Sequence, residues 1–497
     1  MADLFEKFRN LTSKLLSKHF ERLKPNDASM TNATEVPSSA SVQRAPYFFQ
    51  IGFDFGTSFS KCIYRDMMTQ RAHIHIPVRS INKELPFLLP SLVIFKDGII
   101  SCLTDSDQQY PHNGLYHLKS ALVKTALDEW SSSIFDAYRK VTGFTDKKQL
   151  YKFIEDCGVF YLGRALGEVM SSISRQFPDF SSDDGDYIAV NMAIPVGEAE
   201  RPEVNKLFYR ILIDAWSLTN SLEGKPSVEL SEIEALRDEL RLKGGNQGVE
   251  EACYVYPEVS ANVQGFVRSS LSGAGIYLFS DIGAGTVDQS IFIFHRFNDS
   301  ETLTYLCGRV LPLGSGQIEL RAAQISGNTE VGYLEELRKR KERGDYNESL
   351  SKSRQWIEKE LVKETEKTLA KAATKLWVRE ELKRIKLIFG GGGYVEIPYK
   401  RAVHTPFSGP LFAQPVSPNI ISVPPPPDLE LQDHQKRWMK RLSVAYGLSF
   451  EKGELARFIY PKDVPEPSHE EIFKPKKEIA YSCDFGHSVL TKADTQS

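Results

Sequence analysis

Two segments of the chain share one pattern, and this pattern restricts the possible fold more than any other feature of the sequence. Each is an apolar run that ends in aspartate, then a turn of small and hydroxyl residues, then a second strand-like run; the segments are IGFDFGTS at 51–58 and LFSDIGAGTVD at 278–288. Small residues in such turns let backbone N–H groups approach an anion. An aspartate at a strand end supplies a hard oxygen ligand for Mg²⁺. One copy is also typical of an ordinary β-hairpin, but two copies predict a paired phosphate site.

The two segments resemble the first and second phosphate loops of the actin-like ATPase superfamily, and within it those of the nucleotide-binding domain of DnaK-type heat-shock chaperones. Further segments resemble other motifs of that domain, in the same order. They are Ile194-Pro195 and PEVSA at 257–261 for the two connecting segments, Gly314-Ser315-Gly316 for a glycine pair, LIFGGGG at 387–393 for the adenosine-binding strand and turn, and SVAYG at 443–447 for the closing helix. The resemblance spans residues 48–450, and the ordered set is far more specific than any single motif.

The resemblance implies an α/β fold of the two-lobed actin-like ATPase type, in which duplicated ribonuclease-H-like lobes enclose a nucleotide cleft. It implies lobe I over 47–275, lobe II over 276–403, and a closing helix with a return to lobe I over 431–460. Between them, residues 404–430 predict a Pro-rich loop whose PPPP run at 424–427 is typical of polyproline II. Residues 461–497 predict a C-terminal tail that is too short for the peptide-binding domain and lid of DnaK-type chaperones. We therefore expect a stand-alone ATPase domain.

The N-terminal residues predict a separate amphipathic helix over 1–24, because Leu and Phe recur at helical spacing among basic residues. Residues 25–46 are rich in Ser, Thr, Asn and Pro and predict a flexible linker. Such a helix can pack on its own domain, bind the groove of a protein partner or lie on a membrane surface. Acidic Asp3, Glu6 and Glu21 favour packing or partner binding over peripheral membrane contact.

For the chemistry, the resemblance implies that Asp54 holds Mg²⁺ through its hydration shell, while the first turn contacts the β- and γ-phosphates through Gly56, Thr57 and Ser58. Asp281 approaches the metal or the attacking water from the other lobe. The facing loop consists of Gly283, Ala284, Gly285 and Thr286, and the family has glycine where Ala284 stands. In this loop Thr286 orients the γ-phosphate, and Asp288 holds the loop or the metal shell.

Two further side chains complete the predicted catalytic group. Glu258 matches the acid of the second connecting segment, which positions the attacking water in the family. The family also uses a lysine of the first lobe to stabilise charge on the phosphoryl group; Lys119 is the best counterpart, and Lys124 is the alternative. A solvent-facing Glu258 and an exposed helical Lys119 are the competing structural interpretations.

The nucleoside is expected to lie on glycine turns and a charged helix. The resemblance implies close backbone approach at Gly314, Gly390, Gly391 and Gly392, stacking by Tyr394, and ribose contacts from Glu336, Lys339 and Arg340. The chain departs from the family in two ways. Two extra residues separate the glycines from Ile397-Pro398, and the arginine that stacks on adenine has no clear match.

These features predict a slow ATP hydrolase with ATP and Mg²⁺ as cofactors. Water attacks the γ-phosphate in line, and the change in lobe angle is read by a protein partner. Two alternatives share the motifs: a filament-forming actin relative, and a pseudo-ATPase that binds nucleotide without turnover, which Ala284 and the altered glycine turn favour. A sugar or acetate kinase lacks a recognisable substrate segment.

Composition bears on nucleic-acid binding, on membrane insertion and on the cellular compartment. Lys+Arg 62 against Asp+Glu 65 gives a formal charge of −3, so bulk charge offers no case for nucleic-acid binding. No apolar run approaches the ~20 residues that span a bilayer. The 6 cysteines are scattered without a C-x-x-C pair, which favours buried thiols in a reducing, cytoplasmic compartment.

Overall fold

The computed structural model describes residues 44–78, 80, 83–103, 111–183, 185–194, 201–242, 249–269, 271–297, 300–328, 331–393 and 397–467. These residues form a mixed α/β structure of three sheets and thirteen α-helices. The predicted helix over 1–24, nearly all of the linker, Pro195, Tyr394 and the tail from 468 onward lie outside the described residues. No helix among the described residues is long and apolar enough to cross a membrane.

The described strands and helices have the following bounds, in chain order. The strands are β1 (Phe48–Asp54), β2 (Phe59–Asp66), β3 (Arg71–Ile74), β4 (Leu89–Pro90), β5 (Val93–Lys96), β6 (Ile99–Cys102), β7 (Gly114–Leu115), β8 (Tyr187–Ile194), β9 (Ser227–Glu229), β10 (Cys253–Pro257), β11 (Gly275–Ile282), β12 (Val287–Phe297), β13 (Ser300–Leu311), β14 (Lys386–Gly390), β15 (Asn419–Ile421) and β16 (Arg457–Ile459). The helices are α1 (Leu118–Ala126), α2 (Ser133–Thr142), α3 (Lys147–Gln176), α4 (Pro202–Leu222), α5 (Leu230–Leu242), α6 (Val249–Ala252), α7 (Glu258–Asn262), α8 (Gln264–Val267), α9 (Gln317–Ser326), α10 (Val331–Glu342), α11 (Glu348–Ala373), α12 (Ile397–His404) and α13 (Met439–Leu448).

The two large sheets share one strand order. The first runs β10-β8-β1-β2-β3, with β4 also paired to β2, and the second runs β15-β14-β11-β12-β13-β16. In each sheet, three consecutive strands form an antiparallel meander: β1-β2-β3 in the first and β11-β12-β13 in the second. The first strand of each meander also pairs in parallel with a later strand, β1 with β8 and β11 with β14. That later strand pairs in parallel with one more, β8 with β10 and β14 with β15. Parallel pairing needs a long crossover, which the intervening helices provide. The chain therefore builds the same supersecondary unit twice.

Helix α13 packs directly against strand β1 of the first sheet. A Cβ on Gly52 would clash with the carbonyl oxygen of Ala445, and a Cβ on Gly447 would clash with that of Ala261 in α7. The amide of Asn191 in β8 donates to the carbonyl oxygens of Leu448 and Phe450, at 2.8 Å each. The glycines permit this close backbone approach, so α13 is fixed between the first sheet and α7.

Two short strands lie in segments for which the sequence predicts a Pro-rich loop and a closing helix with a return to lobe I. The Pro-rich segment 404–430 contains β15, which pairs in parallel with β14, and the segment 431–460 contains β16, which pairs in parallel with β13 of the second sheet. In that second segment, α13 and the residue Phe450 after it lie on the first sheet. Sheet edges present unpaired N–H and C=O groups, and these short strands satisfy part of them at both edges of the second sheet.

Candidate functional site

The first hairpin places a lysine against the predicted metal-binding aspartate. Asp54 ends β1 and is paired in register with Lys61 of β2, whose Nζ donates to Oδ2 of Asp54 at 2.7 Å. The Asp54 side chain is buried, and its Oδ1 has no hydrogen-bond partner among the described residues. Buried carboxylate oxygens are normally satisfied. Oδ1 of Asp54 is therefore open to a cation or to water.

The second hairpin repeats this arrangement with an acid in place of the lysine. Asp281 in β11 is paired with Asp288 in β12, and the two residues are separated by the same seven positions as Asp54 and Lys61. Oδ2 of Asp281 accepts from the amide of Asn262 at 2.8 Å, and Oδ2 of Asp288 accepts from Oγ1 of Thr286 at 3.1 Å. Oδ1 of Asp288 is buried without a partner in the described part of the chain.

Lys119 and Glu258 form an ion pair in the same region. Nζ of Lys119, on α1, donates to Oε2 of Glu258 at the start of α7, at 2.7 Å, and Lys119 is only 4% exposed. Lys124, the alternative, instead pairs with Glu129 at the surface at 2.7 Å. Of the two lysines, the structure thus brings Lys119 to the predicted catalytic acid.

Asp54, Glu258, Asp281 and Asp288, which we call the carboxylate cluster, interact electrostatically across the two sheets. Burial raises the pKa of Asp281 well above its usual range, and Glu258 and Asp288 raise it further. Burial and Glu258 raise the pKa of Asp288 to about 7, although Lys119 opposes this. Burial also raises the pKa of Asp54, against the effect of Lys61. Burial of Lys119 would lower its pKa, but Glu258 and Asp54 raise it above its ordinary value.

The charges of the carboxylate cluster and its neighbouring lysines are compatible with a cation that is held through water. Within the described residues, no three His, Cys, Asp or Glu side chains are placed to hold a metal ion directly. However, the ammonium groups that act most strongly on the cluster among the described residues are those of Lys61 and Lys119, against four carboxylates. The unpartnered oxygens of Asp54 and Asp288 are free to accept from a hydrated ion. Mg²⁺ commonly keeps several waters and few protein ligands.

The two turns face each other. A Cβ on Gly285 would lie 3.3 Å from Cγ2 of Thr57, so the first turn approaches the second closely here. Gly56 donates its N–H back to the Asp54 carbonyl at 3.0 Å, and a Cβ at Gly56 would clash with the Phe59 carbonyl. Ser58 accepts from the N–H of Ser91 at 3.0 Å. The N–H groups with no acceptor among the described residues include those of Thr57, Ser58, Ala284 and Gly285.

A third backbone segment supports the second turn. Gly314, Ser315 and Gly316 donate their N–H groups to the carbonyls of Gly285, Gly283 and Ala284 at 3.2, 2.9 and 2.7 Å. A Cβ at Gly314 would clash with the backbone of Gly285, and one at Gly316 would lie 2.9 Å from the Ala284 oxygen. Ala284 itself is exposed and its methyl group meets no such restriction. The glycine pair therefore fixes the conformation of the turn.

The turn at 390–393 lies against the same residues. Gly391 has a φ of +77°, and a Cβ there would clash with Oδ1 of Asp281. A Cβ on Gly390 would lie 3.2 Å from the amide nitrogen of Asn262, and one on Gly392 would clash with the guanidinium of Arg441. Burial lowers the pKa of Arg441. The glycine turn therefore lies beside Asp281 of the carboxylate cluster.

The predicted ribose contacts are not brought to this turn by any described interaction. On α10, Glu336 and Lys339 are exposed, and Arg340 interacts with Glu336 at 3.8 Å and with Asp345 at 3.1 Å. The next residue, Lys341, is buried and donates to the carbonyl of Ser315 at 2.8 Å and to Glu319 at 2.6 Å. Because successive helical residues point about 100° apart, the face that carries Lys341, not that of Arg340, supports the glycine pair.

Sequence reasoning missed four residues at this site: Lys61, Asn262, Lys341 and Arg441. Lys61 was detectable, because a hairpin that pairs Asp281 with Asp288 pairs Asp54 with the residue seven positions later. Asn262 was also detectable, since it follows Glu258 by one helical turn. Arg441 gives no local signal, because its position depends on how α13 packs against the glycine turn.

No protein-family model matches the sequence, and no curated protein is significantly similar to it. Functional inference therefore depends on the two hairpins, the turns and the carboxylate cluster. The chemistry that these groups permit is the binding of a polyanion with a hydrated cation, next to an acid that is held in place by a buried lysine.

Proposed function

We propose that the protein binds ATP with Mg²⁺ between its two six-stranded sheets, hydrolyses it slowly to ADP and phosphate, and acts as a DnaK-like nucleotide switch. The single observation that carries this proposal is the repetition of the aspartate hairpin in two sheets, with the two turns close to each other at Thr57 and Gly285. The shared strand order supports a finer assignment of the fold, to the two-lobed actin-like type with duplicated ribonuclease-H-like lobes.

The turns supply the phosphate-binding groups in this proposal. The available N–H groups of Thr57, Ser58, Ala284 and Gly285 donate to phosphate oxygens, as do the hydroxyl groups of the two turns. The support of the second turn by the glycine pair keeps these donors oriented before the ligand arrives. Oriented donors stabilise developing charge more effectively than donors that must reorganise.

The carboxylate cluster supplies the metal site and the catalytic acid–base group. Asp54 and Asp281 would hold Mg²⁺ through its water shell, and the ion when bound neutralises charge on the phosphates. Glu258 orients the attacking water, and its ion pair with Lys119 fixes the direction of the carboxylate. The ammonium of Lys119 also stabilises negative charge on the phosphoryl group. Asp288 holds the hydroxyl of Thr286, which orients the γ-phosphate.

The proposed output is a change in the angle between the two lobes that a protein partner reads, with residues 1–24 recruiting that partner. A deletion of residues 1–24 in the purified protein tests the second part. We expect ATP turnover to stay nearly unchanged and association with the partner to be lost. A large fall in the melting temperature of the deletion variant would instead assign residues 1–24 to the fold itself.

The enzymatic proposal is tested with the full chain by nucleotide titration and by phosphate release. Asp54→Asn and Asp281→Asn should lose Mg²⁺-dependent ATP binding, whereas Glu258→Gln should keep binding and lose about 10²-fold in turnover. Asp136→Asn is the matched control, because Asp136 is exposed and pairs only with Arg139 among the described residues. Turnover that is unchanged in both Asp54→Asn and Asp281→Asn would overturn the proposal.

A pseudo-ATPase is the second candidate, and one specific observation favours it: Lys61 already occupies Oδ2 of the metal-binding aspartate. In that case ATP binds and no phosphate is released under single-turnover conditions, even though Asp54→Asn still weakens binding. The filament-forming alternative predicts nucleotide-dependent polymer, which light scattering over a protein concentration series detects.

A further inference from the structure

The Pro-rich segment has one end attached to each of the two large sheets. At its N-terminal end, Asn419, Ile420 and Ile421 of β15 pair with Lys386, Leu387 and Ile388 of β14. The side chains of Ile421 and Val423 pack against the apolar cluster around Phe279, Phe292 and Ile388 of the second sheet. This end of the segment is therefore held by both backbone pairing and side-chain burial.

The C-terminal end is held on the first sheet. Leu429 forms a parallel bridge with Ala72 of β3 and is buried in an apolar cluster with it. The carbonyl of Asp428 accepts from the N–H of Ala72 at 2.9 Å. The Asp428 carboxylate accepts from Arg65 in β2 and from the hydroxyl of Tyr446, the latter at 2.9 Å. Residues 424–427, all proline, cross from one sheet to the other.

The burial of these residues follows the three-residue repeat of polyproline II. Val423 and Pro426, three positions apart, are partly buried, whereas Pro424, Pro425 and Pro427 are exposed. A proline fixes its own φ near −65°, and each residue before a proline is biased away from the α region. A polyproline II strand has three residues per turn, so Pro424 and Pro427 lie on one face. That face is turned to solvent.

We propose that the exposed face of residues 424–427 is a docking strand for a protein domain whose aromatic-lined groove recognises polyproline II. The strand presents two prolines in the P-x-x-P spacing that such grooves bind. The carboxylate of Glu430 at the C-terminal end is paired with the exposed guanidinium of Arg71 at 3.1 Å. The prolines, and not a net charge, are therefore the groups that such a groove would recognise.

The anchoring of both ends favours binding. A free peptide must lose conformational entropy when it enters a groove, but this strand is already held in one conformation by β15, Leu429 and Asp428. The proposal does not depend on ATP hydrolysis, since it uses only surface prolines and their anchors. It adds an interaction surface at the junction of the two sheets, separate in sequence from residues 1–24.

The test titrates purified EVH1, WW and SH3 domains, in separate calorimetric experiments, into the full chain. We expect saturable binding of at least one domain. The double variant Pro424→Ala/Pro427→Ala should bind that domain with at least tenfold lower affinity, the size of effect that central contacts of an interface have. Pro415→Ala is the matched control, because Pro415 is an exposed proline of the same segment outside the run. Thermal melting checks that each variant is folded.

A second measurement does not depend on the folding of any variant. A synthetic peptide of residues 419–430 should displace the bound domain from the full chain, and a peptide with alanine at 424, 425 and 427 should not. The proposal is overturned if none of the three domains binds saturably, if the double variant binds as the unchanged chain does, or if both peptides compete equally.

Discussion

Nζ of Lys61 lies 2.7 Å from Oδ2 of Asp54, and the two residues are direct partners across β1 and β2. The same position in the second hairpin holds Asp288, which faces Asp281. One hairpin therefore carries an ion pair and the other carries two acids with raised pKa values. The same backbone unit therefore occurs twice with different electrostatics: the first hairpin carries a lysine beside its aspartate, and the second carries a second aspartate.

Replacement of Lys61 by methionine should destabilise the protein, because it leaves the carboxylate of Asp54 buried without its cation. Breaking a buried pair from one side costs about 3 kcal/mol or more in the free energy of unfolding. Urea denaturation of the metal-free protein measures this. Lys96→Met, at the exposed end of β5, should change stability little.

The double variant Asp54→Asn/Lys61→Met provides the thermodynamic control for this prediction. It contains no unpaired charge at this position, so it should recover part of the stability that Lys61→Met loses. Equal stability of Lys61→Met and the unchanged protein would show that the pair is not needed to keep Asp54 in the fold.

Lys119 and Lys124 should differ sharply in their effect on turnover. Lys119→Met removes the buried partner of Glu258, and we expect a loss of about 10²-fold, the size seen when one preorganised donor is removed. Lys124→Met removes only a surface pair with Glu129 and should leave turnover within about twofold, as weak surface pairs suggest. Phosphate release at saturating ATP measures both. Equal effects of the two variants would contradict the assigned role of Lys119.

The parts of the fold that sequence predicts are those with a local pattern. The aspartate-ended run of the first hairpin predicts a strand, and β1 ends at Asp54; in the second, β11 continues one residue beyond Asp281. The strands β15 and β16 have three residues each, too few for an alternation of apolar and polar residues to mark them in the sequence. Their pairing therefore depends on the sheet edges that they meet.

The candidate site also contains residues that a sequence motif points to and residues that depend on packing alone. Distant parts of the chain supply the groups that interact here: Asp54, Lys119, Glu258 and the acids of the second hairpin. In the sequence, only the family resemblance links them. On α10, the residue that contacts the glycine pair is Lys341, which the sequence does not single out because a helix rich in charge offers a plausible pattern on every face. Arg441 reaches Gly392 only through the packing of α13, which no local spacing encodes.

The stability of the metal-free protein should fall as the pH rises, on account of Asp288. Burial, with Glu258, raises the pKa of Asp288 from its ordinary 3.8 to about 7. The folded state therefore binds this proton more tightly than the unfolded chain does. The resulting stabilisation is full below about pH 4 and is lost as the pH rises to about 7. One proton accounts for at most about 1.4 kcal/mol per pH unit.

Asp288→Asn isolates this contribution, because the amide oxygen can still accept from Thr286 but does not titrate. Urea denaturation at pH 5 and at pH 8, with a chelator present, should show that the variant gains stability relative to the unchanged protein at the higher pH. The same comparison with Asp136→Asn, at an exposed position, should show no such gain. A difference that is independent of pH would contradict the raised pKa of Asp288.

Gly391 and Gly98 should respond differently to alanine although both have positive φ, at +77° and +80°. A Cβ at Gly98 meets nothing within 4 Å, so Gly98→Ala should cost only the backbone strain of about 1–2 kcal/mol. A Cβ at Gly391 would clash with Oδ1 of Asp281 and with the carbonyl of Ile282. Gly391→Ala should therefore lower the free energy of unfolding by more than Gly98→Ala does, and it should also weaken Mg²⁺-dependent nucleotide binding by displacing the Asp281 carboxylate. Urea denaturation and nucleotide titration of both variants measure the two effects. If Gly391→Ala loses no more stability than Gly98→Ala and binds nucleotide normally, the close approach of the glycine turn to Asp281 has no role in the site.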